Sequence, residues 1–167
     1  AAFVLQPDRQ YRIRIKTSDG EEYLSEYTKV KNSPDNKITW SRDPDGLRVR
    51  VSTEDKTNQT KYYQWQYEET WEIRSFKPSE FVAQQTRPYV TVQARNPSQI
   101  PLLFNCWRTE GSPFVLIAST AGLSGDFVNN FNLSFIPNGS DKLVVRFSML
   151  LKQYALSREA YDYFLLM

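Results

Sequence analysis

The sequence predicts an all-β chain: an antiparallel β-sandwich ending in a short C-terminal helix. Three observations carry that expectation. From Lys61 to Phe76 the chain alternates, with Tyr63, Trp65, Tyr67, Glu69, Trp71 and Ile73 on one side and Tyr62, Gln64, Gln66, Glu68, Thr70, Glu72 and Arg74 on the other. A period of two over so long a run marks a strand with one face on a core and one in water. A second long alternation, Lys142 to Tyr154, places Leu143, Val145, Phe147, Met149 and Leu151 on one face. About eight strand-like runs with turns at regular spacing favour a sandwich over other β architectures.

The elements follow in order. Tyr11 to Thr17 alternates Tyr11, Ile13 and Ile15 against Arg12, Arg14 and Lys16, and Ser18-Asp19-Gly20 turns the chain into Glu22 to Val30. An Asp-Gly step suits the positive φ of a tight hairpin. Such a hairpin is barely stable alone and needs a neighbour. Lys31 to Asn36 is polar and contains Pro34, a module boundary. Lys37 to Ser41, with Trp40, and Leu47 to Thr53, with Val49 and Val51 inward, flank the turn Asp43-Pro44-Asp45-Gly46. After the aromatic strand, periodicity fades across 77–99, where Pro78, Pro88 and Pro97 interrupt it. A connection that long is unusual in a compact domain and is often functional. Strands are expected at 102–109, 114–120 and 132–136, with a loop over 121–130. Ser157 then caps a helix, with Glu159 in its first turn and Tyr161, Phe164 and Leu165 at helical spacing.

The strands 61–76 and 142–154 are expected to be neighbours in one sheet. Trp65 takes the place of the core tryptophan of immunoglobulin-like and fibronectin-like domains, with Tyr67, Trp71 and Phe147 as further core residues.

Composition narrows the chemistry. The 167 residues fit one domain, or one domain plus a fragment, and 40% hydrophobic residues are enough for a real core. The net charge is +2, from 21 basic and 19 acidic side chains that are interspersed rather than clustered. That gives no electrostatic reason to expect nucleic acid. No run of about 18 apolar residues is present to span a membrane. Histidine is absent, which removes the commonest general base and metal ligand. Cys106 is the single cysteine, so the chain holds no internal disulfide and no CxxC pair. Either Cys106 is a small buried residue, or its partner lies outside this chain. No cofactor or metal is expected.

Serine has no histidine to activate it, and GxSxG does not occur. Glu68, Glu69 and Glu72 raise a glycosidase reading, in which two carboxylates flank a sugar linkage at roughly 5 to 9 Å. Glu68 and Glu72 stand about 13 Å apart along a strand, too far without a partner from another strand. Glu69, on the aromatic face, is a catalytic acid, a strand end leaving the core, or half of an ion pair with an arginine such as Arg108 or Arg146. The Asp43–Gly46 turn and Glu54-Asp55 lack the calcium-loop pattern. The Asn58, Asn132 and Asn138 sequons matter only in a eukaryotic secretory protein. Ten tyrosines, ten phenylalanines and four tryptophans suffice for a glycan- or peptide-stacking platform, though a sandwich uses most of them as core. Tyr62, Tyr89 and Tyr161 are the candidates for an exposed cluster.

Four strings are more specific: YRIRIKTSDGEEYLSEYTKVKNSP, KYYQWQYEETWEIRS, CWRTEGSPFVLIASTAGLS and KLVVRFSMLLKQYALSREAYDYF. Through them nearly the whole chain resembles a family of Bacteroidota outer-membrane lipoproteins known as domain of unknown function 4249. The resemblance implies an envelope protein carrying an N-terminal lipid anchor. It implies an accessory, non-enzymatic role beside TonB-dependent outer-membrane receptors in nutrient uptake. It also implies that residues 1–33 are the last hairpin of a preceding immunoglobulin-like module, and that 34–167 are a sandwich continuing past Met167. A cysteine in that continuation is the implied partner of Cys106. The anchor itself is not in this chain, and the family offers no catalytic residues to transfer.

Overall fold

The computed structural model describes residues 4–6 and 9–167. The chain opens on a ragged hairpin. Strand β1 (Gln10–Tyr11) pairs with β4 (Thr28–Lys29), and β2 (Arg14–Lys16) pairs with β3 (Glu22–Leu24). Between them the Ile13 amide donates to Ser25 Oγ at 2.8 Å and the Ser25 amide donates back to the Ile13 carbonyl. Gly20 turns the tip at φ +94°, a left-handed conformation that costs glycine little. The expected alternation buries nothing here: Ile13, Ile15, Tyr23, Leu24 and Tyr27 are all exposed. The hairpin touches the sandwich through Lys31, whose Nζ donates to the Leu156 carbonyl at 2.7 Å.

Two antiparallel sheets form the body. One runs β12–β6–β5, built from β5 (Asn36–Asp43), β6 (Gly46–Glu54) and β12 (Phe127–Pro137). The other centres on β7 (Tyr62–Arg74). Strand β13 (Arg146–Ala155) runs along one side of β7, with Arg146 opposite Glu72 and Ala155 opposite Tyr63. The other side is shared by β10 (Asn105–Gly111), on the C-terminal half, and β11 (Leu116–Ser119), on the N-terminal half. The two long alternating runs are thus sheet neighbours, as expected.

The core lies between β6, β12 and the first half of β7. Val49, Val51 and Leu133 face Tyr63, Trp65 and Tyr67, with Met149 and Leu151 packed alongside. Each large side chain fully buried contributes roughly 1.5–3 kcal/mol from apolar transfer, which sets the register of β7. Two of these rings hydrogen-bond through their polar atoms. Trp65 Nε1 donates to Gln153 Oε1 at 2.8 Å, and the Tyr63 hydroxyl donates to Asp126 Oδ1 at 2.9 Å.

Several sequence expectations are corrected. Residues 77–99 are not an irregular loop: β8 (Phe81–Thr86) and β9 (Tyr89–Ala94) form a separate two-stranded ribbon around Arg87-Pro88. Proline there falls in the turn, where it interrupts no ladder. The expected strand at 102–109 begins instead as a short helix, α1 (Ile100–Phe104), with Pro101 in its first turn. Strand β12 already starts at Phe127, inside the expected loop. Residues 141–143 form a 3-10 turn before β13, because the Ser140 hydroxyl accepts from the Lys142 amide. Phe147 is only partly buried and lies outside the core cluster, since the second sheet does not extend over that end of β13. Trp40, on the edge strand β5, is 71% exposed. The C-terminal helix α2 (Arg158–Leu165) forms as expected, with Ser157 Oγ accepting from the Ala160 amide at 3.2 Å.

Candidate functional site

The carboxylate singled out on the aromatic face is buried. Glu69 is 3% exposed, held where the second sheet gives out and the 3-10 turn takes over the covering of β7. Lys142, carried on that turn, brings Nζ to 2.6 Å from Glu69 Oε2, and Ser134 of β12 donates to Oε1 at 2.8 Å. The ion-pair reading expected an arginine; the partner is this lysine. Arg108 instead pairs with Glu110 at 2.5 Å, and Arg146 lies on the opposite face of the sheet. Lys142 also stands 3.7 Å from Glu110 Oε2 and 4.6 Å from the centre of the Trp71 ring. Burial works to lower the Lys142 pKa, but the hydrogen bond and charge of Glu69, with Glu110 behind it, outweigh this and hold it above the ordinary lysine value.

Glu69, Glu110, Ser134 and Lys142, with Tyr67, Phe114 and Phe135, line a recess of about 350 Å³. Two carboxylates are therefore close together, as the glycosidase reading requires. The lysine ammonium, however, sits between them, in the space where a glycosidic oxygen or a water would stand. Trp71 is buried as expected, 2% exposed, and lies beside this recess beneath Lys142, with Arg108 5.6 Å from its ring centre.

The three tyrosines proposed as a platform do not come together. Tyr62 and Tyr161 pack on each other at 5.0 Å between ring centroids, partly buried where α2 lies on β7. Tyr89 is 74% exposed at the tip of the β8–β9 ribbon. Cys106, read as either a small buried residue or a thiol with its partner outside this chain, is exposed on β10, and no second cysteine exists in the chain to pair with it.

The outward face of the β7 sheet holds what the sequence reading missed. Trp107 of β10, Glu72 of β7 and Arg146 of β13 share one register row, and Thr109, Thr70 and Ser148 share the next. Trp107 is 54% exposed. The Arg146 guanidinium lies 5.8 Å from its ring centre. The signal was present in β10, where Asn105, Trp107 and Thr109 alternate against Cys106, Arg108 and Glu110. Once β10 pairs with β7, that alternation puts Trp107 on the face opposite Trp71.

An all-β, two-sheet domain with an internal ion-paired carboxylate and aromatics turned to solvent is the class this fold defines. The chain belongs to the family described as Domain of unknown function (DUF4249), whose model matches residues 1–167. Comparison with curated proteins and with solved structures finds no match.

Proposed function

We propose that this domain is a non-enzymatic ligand-binding or accessory module of a Bacteroidota lipoprotein serving TonB-dependent uptake at the outer membrane. The observation that carries the binding reading is the contrast between its polar and aromatic groups. Glu69 is engaged with Lys142 and Ser134, whereas Trp40, Trp107 and Tyr89 stand 71%, 54% and 74% exposed. Aromatic rings open to solvent offer stacking faces to a sugar or a peptide. The uptake role rests on the family membership and on what the resemblance of the four strings implies. In the same reading, residues 1–33 end a preceding immunoglobulin-like module, attachment is by a lipid anchor outside this chain, and the exposed Cys106 awaits a partner beyond it. The test is affinity capture of the tagged, full-length lipoprotein from native outer membranes. A TonB-dependent barrel identified by mass spectrometry in stoichiometric amount is the expected result; repeated capture without any such barrel overturns the uptake role.

A hydrolase centred on Glu69 is the weaker reading, because its acid is already neutralised by a lysine. A carbohydrate-binding role is favoured by one specific observation, developed next.

A further inference from the structure

The row Trp107–Glu72–Arg146 has the chemistry of a ligand platform, and it lies on the face of the sheet, not at its edge. Strand β7 is hydrogen-bonded on both sides there, to β10 and to β13. An extended peptide binding by strand addition needs a free edge, so this surface is ill suited to that mode. What it offers instead is a flat array. The neighbouring row adds three hydroxyls, with Thr70 Oγ1 and Thr109 Oγ1 3.0 Å apart. Strand and residue spacings make the six positions span roughly 10 Å by 7 Å, the footprint of one or two sugar rings.

The electrostatics select among sugars. Glu72 is 7% exposed, and its Oε1 lies 3.4 Å from Arg74 Nη2, so its charge is buried and partly compensated. The Arg146 guanidinium has no carboxylate or hydrogen-bond partner among the described residues and lies against the Trp107 ring. Two guanidiniums thus flank one shielded carboxylate, and the charge this row offers to solvent is positive; the exposed Glu68 carboxylate lies two rows on, opposite Gly111 and Leu150. An unpaired guanidinium beside an open indole suits a ring with an apolar C–H face and a carboxylate substituent.

We propose that this face binds an acidic saccharide, a uronic-acid-bearing glycan. A pyranose face stacks on Trp107, its carboxylate meets Arg146, and its hydroxyls reach Glu72, Thr70, Thr109 and Ser148. The assignment rests on the binding reading above and names the ligand class for it.

The test is isothermal titration calorimetry of the whole chain with an oligogalacturonate, an uncharged oligoglucan and polyglutamate. The uronate is expected to bind, with an affinity that falls as salt rises. Trp107→Ala is expected to weaken it roughly thirtyfold, as truncated aromatic anchors do. Arg146→Gln should weaken it and flatten the salt dependence, while Tyr23→Ala, on the N-terminal hairpin, should leave it unchanged. If Trp107→Ala does not fold, the indole N–H resonance of Trp107 in the unaltered chain is followed instead. It should shift on titration while those of Trp65 and Trp71 stay fixed. The assignment is overturned if the uronate does not bind, if Trp107→Ala binds it like the wild type, or if the Trp107 resonance does not move. It is equally overturned if the neutral glucan or polyglutamate binds as tightly. Any of these leaves the receptor association standing, and loss of that association leaves the saccharide result standing.

Discussion

Replacing Lys142 by methionine tests whether the ion pair beneath Trp71 organises its end of the sandwich. The change keeps the apolar stem and removes the ammonium 2.6 Å from Glu69. The Glu69 side chain is 4% exposed and the Lys142 side chain 24%. Removing one partner of a buried pair costs about 3–5 kcal/mol, because it strands the other charge. Two features here reduce that figure. Ser134 still donates to Glu69, and the partial exposure of Lys142 shows that water reaches the site. Loss of the contact with the Trp71 ring returns about 0.5–1 kcal/mol. The net expectation is about 2–3 kcal/mol, or a melting temperature lower by roughly 5–10 °C for a domain of this size. Glu69→Gln should cost less, near 1 kcal/mol, because Lys142 keeps Glu110 and some solvent. With both replaced, no buried charge remains, and stability should return to within about 1 kcal/mol of wild type. Urea unfolding followed by circular dichroism and tryptophan fluorescence measures all four corners of the cycle. A Lys142→Met protein within about 0.5 kcal/mol of wild type, with no coupling to Glu69, would refute the reasoning.

Three further outcomes are expected. Both Lys142 and Tyr63 have pKa values raised in the folded state; for Tyr63 the first cause is burial, then the hydrogen bond to Asp126. A raised pKa stabilises fully below the unfolded value and is lost above it, so urea midpoints should hold up to about pH 10 and then fall. Gly46→Ala should destabilise by more than about 2 kcal/mol in the same assay, because its Cβ would stand 2.2 Å from the Ile136 carbonyl oxygen, which is fixed backbone of β12. Cys106 should react stoichiometrically with a thiol reagent such as dithionitrobenzoate in the folded protein, without denaturant; reaction only after unfolding would contradict its exposure.

The parts of the fold that sequence reading found are those where alternation and burial agree. Tyr63, Trp65 and Tyr67 are inward and buried, and their partners Met149 and Leu151 are inward on the neighbouring strand. The pattern failed where the second sheet stops. Phe147 shares the inward phase, but it is only partly buried, so phase alone assigned it to a core it does not join; Trp71 is buried as expected, beneath Lys142 and apart from the main cluster. The β8–β9 ribbon was illegible for a related reason. Its strands bury almost nothing, so no selection for a clean apolar face shaped FVAQQT or YVTVQA. Phase also cannot say which cation reaches Glu69. That is decided by the 3-10 turn swinging Lys142 over the sheet, a local turn whose cue, Ser140, is a weak signal in isolation.

The same limit explains why the outer row was missed and why it belongs in a functional argument. A carboxylate on the solvent phase of a strand is normally left in water, since burial costs it hydration. Glu72 breaks that expectation at 7% exposure, shielded by its neighbours and only loosely paired with Arg74. Such an arrangement contributes little to stability, because a guanidinium on an open indole is worth about 0.5–1 kcal/mol and one 3.4 Å contact with Arg74 does not make up the hydration that a buried acid loses. Packing alone would place apolar residues there or leave the acid solvated. The face of the β7 sheet opposite its core is therefore where recognition, more than stability, accounts for the residues that occupy it.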